Sequence, residues 1–97
     1  MFQILDTINI TEHKGVQTSK LSKSENIDVL HISMEKNANL KKHSSPKDAL
    51  LIVLEGHIVF YIDTNSYVLK KHQVYNFEKN VEHWVEAIED SNFIIIR

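Results

Sequence analysis

The chain has no cysteine, one proline, two glycines, one tryptophan and a single arginine, Arg97. Each shortage closes off a chemistry. Without cysteine there is no disulfide, no thiolate nucleophile and no zinc–thiolate centre, and nothing marks the redox compartment. Bidentate recognition of phosphate or carboxylate usually relies on arginine, so one arginine argues against nucleotide-linked or phosphorylated ligands. The net charge of −2 and pI near 6.3 leave no basic field for nucleic acid or an anionic membrane. No apolar run approaches the roughly 20 residues a membrane helix needs. Met1 to Ile10 carries Asp6 within its apolar stretch and no basic leader, so it does not read as a signal peptide. The expectation is a soluble cytoplasmic protein with neither nucleic acid nor membrane as a partner.

What is present is ordinary globular composition, 42% hydrophobic and 25% charged over 97 residues, which excludes disorder and fits one domain spanning 1–97. A chain this short buries only about 60–65% of its unfolded surface, so a subunit contact would add to its core. Phe2 to Ile10 reads as a short helix or a strand, punctuated by Gly15. From Gly15 onward the signal is alternation. Ile27 to Met34 is β-branched with a period of two, Ala49 to Leu54 is a continuous apolar run, and His57 to Asp63 resumes after Glu55-Gly56 as after a hairpin or tight bend. Tyr67 to Leu69, Val74 to Phe77, His83 to Ile88 and Phe93 to Ile96 follow, separated by polar turns. Short strands at such spacing predict a sandwich or barrel.

The segment from His43 to Gly56 resembles the first motif of the cupins: glycine, five residues, His-x-His, three or four residues, glutamate, six residues, glycine. Anchored on Gly56, the glutamate slot falls at Ala49, the second histidine slot at Ser45, the first at His43 and the opening glycine at Asn37. His72 to His83 is similar to the second motif, with His72, Glu78, Asn80 and His83 in its glycine, proline, glycine and histidine slots. The resemblance covers about 27–97. It implies an all-β fold, a double-stranded β-helix (jelly-roll barrel) with a short N-terminal helix as an option. Three of four motif glycines are replaced, two by asparagine, the residue that best tolerates left-handed backbone.

The resemblance also implies a metal inside the barrel held by three histidines and a glutamate. Only His43 and His83 remain. Ser45 is a weak ligand for a divalent ion and Ala49 is none, while Asp48 should point to the opposite strand face. No cofactor is therefore expected, the alternative being a loosely bound divalent transition metal on His43 and His83. The expected function is binding of a small polar or aromatic molecule around His43, His83, Ser45 and Tyr75. The alternatives are a metal-dependent oxygenase or isomerase with a reduced shell, and a metal-free isomerase with a histidine base. Catalytic residues are not assigned. Trp84 is expected to pack in a second layer or a subunit contact. With Leu50, Ile52 and Leu54, it makes a homodimer the expected assembly.

Overall fold

The computed structural model describes residues 3–97. A single helical turn, α1 (Thr7–Ile10), precedes nine strands: β1 (Val16–Lys20), β2 (Val29–Met34), β3 (Asn39–His43), β4 (Ala49–Glu55), β5 (His57–Ile62), β6 (Asn65–Lys70), β7 (Val74–Phe77), β8 (His83–Ala87) and β9 (Ser91–Ile96). The expected first element thus resolves into the turn α1, whose N-cap Asp6 makes no side-chain capping bond and which buries none of its residues; Phe2 lies outside the described residues. The strands form two antiparallel sheets, ordered β1-β2-β9-β4-β7 and β3-β8-β5-β6. Together they make the jelly-roll barrel.

Alternation sends one residue in two into the barrel. Leu51 and Val53 of β4, Ile58 and Phe60 of β5, Val85 of β8 and Phe93 of β9 are almost wholly buried and join one core cluster. Each such side chain stabilises the fold by about 1.5–3 kcal/mol through lost apolar surface. The apolar run of β4 looks continuous because the alternate residues Leu50, Ile52 and Leu54 are half-buried on the outer face. Glu55-Gly56 is a bend and not a hairpin: β4 and β5, on either side of it, belong to different sheets. Glycine is required there, with φ of 76° and no room for a Cβ between the Asp90 carbonyl and Ser91. Strand β3 is the element least visible in sequence, because its residues are mostly polar and exposed.

The four motif glycine slots all adopt left-handed backbone: Asn37 at φ 71°, Gly56 at 76°, His72 at 68° and Asn80 at 64°. The backbone plan outlives the glycines. His72 tolerates the conformation because its amide donates to the Val53 carbonyl at 2.6 Å and its side chain stands in solvent.

Candidate functional site

His43 ends β3 and His83 begins β8, and the two are direct partners in the antiparallel ladder. Backbone pairing therefore fixes their meeting, with a register shift in β3 between Leu40 and His43. Their ring centroids are 4.3 Å apart, edge to face, and the two Nε2 atoms are 3.1 Å apart. Each Nδ1 faces a main-chain carbonyl two residues back: His43 to Lys41 at 2.7 Å and His83 to Val81 at 3.0 Å. A carbonyl can only accept, so both Nδ1 atoms carry hydrogen. Two neutral imidazoles own two ring hydrogens, yet the geometry makes three contacts. The pair is one cation short.

His83 is buried, stacked against Phe60 at 5.3 Å and met edge-on by Phe77 at 4.7 Å. That burial lowers its pKa, partly offset by the Val81 carbonyl and reinforced by His43 and Arg97. His43 is only half-buried. The pair opens toward solvent on that side.

Ser45 is buried near the barrel end, but its hydroxyl is committed. It donates to the Lys47 carbonyl at 2.7 Å and accepts from the Lys47 amide at 3.2 Å and from Arg97 Nη1 at 3.4 Å. Arg97 follows Phe93 and Ile95 in the inward row and also pairs with Asp28 at 3.6 Å. Sequence reasoning weighed this arginine by its scarcity and missed its position. A guanidinium here disfavours a second cation. Asp48 faces out as expected and accepts the Lys79 amide at 2.9 Å. Among the described residues no group of three or more His, Cys, Asp or Glu side chains is placed to hold a metal ion. The residues present do not fit a resident metal of the four-ligand kind.

Tyr75 stands apart from the histidines and packs on Phe60, Phe77 and Tyr67. Burial and the neighbouring Tyr67 hold its hydroxyl above the usual phenol range. With Tyr67, Phe77, Val81 and Glu78 it lines a cleft of about 270 Å³ at the barrel mouth. Phe77 and Val81 both touch His83, so this cleft and the imidazole pair share a wall.

A second polar chain lies on the outer face of the five-stranded sheet. Buried His31 meets Asn92 Oδ1 at 3.3 Å, Asn92 donates to Glu55 at 3.0 Å, and Glu55 faces His13 at 3.3 Å. Nothing in the spacing of these residues announced it. His13 and His31 are 18 positions apart and join only through partners from β4 and β9.

The cupin domain profile matches residues 30–96, and the chain belongs to the cupins. Its fold is similar to a cupin superfamily protein of Desulfitobacterium hafniense, at 16% identity and TM-score 0.86, covering 99% of this chain and 90% of that one. An RmlC-like cupin of Desulfovibrio desulfuricans gives 17% and 0.85, with 99% and 95% covered. A cupin 2 conserved barrel domain protein of Leptotrichia buccalis gives 25% and 0.85, with 95% of this chain and 46% of that one covered. No curated protein matches the chain in sequence.

Proposed function

We propose that this cupin binds a small polar or aromatic molecule at the barrel mouth, where the tyrosine-lined cleft meets His43 and His83. The observation that carries the reading is the hydrogen count: three contacts, two hydrogens. A site short of one cation takes a proton from an acidic ligand or accepts a hydrogen bond from a hydroxylated one. The cleft of about 270 Å³ lies just under the usual range of about 300–1,000 Å³ for ligand pockets, which limits the occupant to about one or two small rings. Tyr67, Tyr75 and Phe77 supply flat walls for it.

The same count favours a second reading, proton transfer by His83 as the base of a metal-free isomerase. Both readings are tested by a fragment screen followed on the ring resonances of the two histidines. Hits should shift both rings, and His83→Asn, which keeps a donor for Val81, should abolish them. Hits that bind the variant undiminished would remove the histidines from the site. Turnover of a hit, lost in the same variant, would select the isomerase.

A further inference from the structure

The face of the four-stranded sheet turned away from the barrel carries a separate feature. Tyr61 of β5 and Trp84 of β8 are register partners, and their rings lie parallel, 3.7 Å between centroids and 5° apart. Trp84 faces away from the barrel core, as its alternation predicts, and packs not in a second layer but on Tyr61 of the same sheet. Each ring spends one face on the other. Beyond Tyr61 the edge strand β6 presents Ser66 in register, short and exposed, so no bulky side chain in that register covers the tyrosine's second face.

Cross-strand stacking alone stabilises a sheet by about 0.2–1 kcal/mol and needs no ligand to explain it. A cleft of about 490 Å³ opens against both rings, and Val81 with the polar residues Lys42, Asp63, Asn80 and Glu82 forms its other walls. The four polar residues are exposed. Among the described residues none of their side chains is engaged in a hydrogen bond or an ion pair with another group. Asp63 and Asn80 hold left-handed backbone, and the Asp63 amide ties its turn to the Glu82 carbonyl.

We propose that this cleft binds a neutral sugar ring. An aromatic shelf accepts the C–H face of a pyranose, while two carboxylates and a carboxamide oxygen accept its hydroxyl hydrogens and a lysine donates to its oxygens. Phosphate or an acidic sugar meets two carboxylates and is repelled; a simple cation meets Lys42. Trp84 and His83 are neighbours on β8 with opposite orientations, while Asp63 and Val81 form the wall that this cleft shares with the tyrosine-lined one.

Trp84 is the only tryptophan, so its emission and its indole N–H resonance report on the cleft alone. Glucose, galactose and cellobiose are titrated against the whole chain, with glucuronate and tetramethylammonium as controls. At least one neutral sugar should shift the indole resonance saturably in the millimolar range. Asp63→Asn with Glu82→Gln should weaken it by about tenfold or more, since each exchanges a charged acceptor for a weaker neutral one. The first change suits a left-handed residue, so the fold is kept even where Trp84→Ala fails to fold. Silence with all three sugars, saturable binding of tetramethylammonium alone, or undiminished sugar binding in the double variant would each overturn the proposal.

Discussion

Replacing His72 with glycine should stabilise the protein. The side chain is exposed and only the backbone of the residue is used, its amide bonded to the Val53 carbonyl. At φ 68° a residue with a Cβ stands in the left-handed region, at a cost of about 1–2 kcal/mol. Glycine removes that strain but returns about 0.5–1 kcal/mol through the greater freedom of its unfolded chain. The balance is a gain of about 0.5–1 kcal/mol, or about 2–8 °C in melting temperature for a domain of this size. His72→Val should move the other way, because a β-branched side chain suits left-handed backbone least. Gly56→Ala should be worse still, its Cβ colliding with backbone of Asp90 and Ser91. Thermal unfolding by circular dichroism at pH 8 reads all three. A His72→Gly variant that melts below the parent, or a His72→Val variant that melts with it, would refute the argument that these slots preserve turns and nothing else.

The folded state should lose stability in mild acid. Burial lowers the pKa of His31, against the pull of its Asn92 bond and with the help of His13, and burial likewise lowers that of His83. A depressed histidine leaves the unfolded chain binding more protons, so its contribution is complete above about pH 6.5 and falls away as pH drops toward the folded pKa. His31→Leu should flatten the stability–pH curve there by at most about 1.4 kcal/mol per pH unit; an unchanged slope would count against the burial argument. Metal analysis after chelator dialysis should find well below one equivalent per chain. Ser45→His with Ala49→Glu should create a melting temperature that rises with zinc or nickel, and His83→Ala should cancel that rise; indifference to metal would show that the four positions do not converge. Light scattering should report a dimer, given the outer row of Leu50, Ile52 and Leu54 beside exposed Val74 and Ile96. A monomer of 11.3 kDa at high concentration would refute it.

The barrel was legible because alternation and turn residues are local signals. Phe77, Val85 and Phe93 lie inside where period two puts them. Strand β3 was not legible: Lys41 and Lys42 are exposed on it, and its pairing with β8 alone makes it a strand. Of the candidate site, His43 and His83 were readable from motif spacing, and they do meet. Ser45 was readable as a slot but not as a turn hydroxyl bound to Arg97, because that partner lies 52 residues away. Tyr75 was placed near the ligand by alternation, yet it reaches the histidines only through Phe60 and Phe77. The Tyr61–Trp84 stack needed the β5–β8 register, which no local pattern reveals.

The central claim, an imidazole pair built to hold one more cation than two neutral rings supply, is tested most directly by long-range proton–nitrogen spectra of His43 and His83 near neutral pH. Without ligand each ring should carry its hydrogen on Nδ1 and none on Nε2, and an acidic fragment should place a third between the Nε2 atoms. Two hydrogens in total, with either ring protonated on Nε2 and bare at Nδ1, would contradict it.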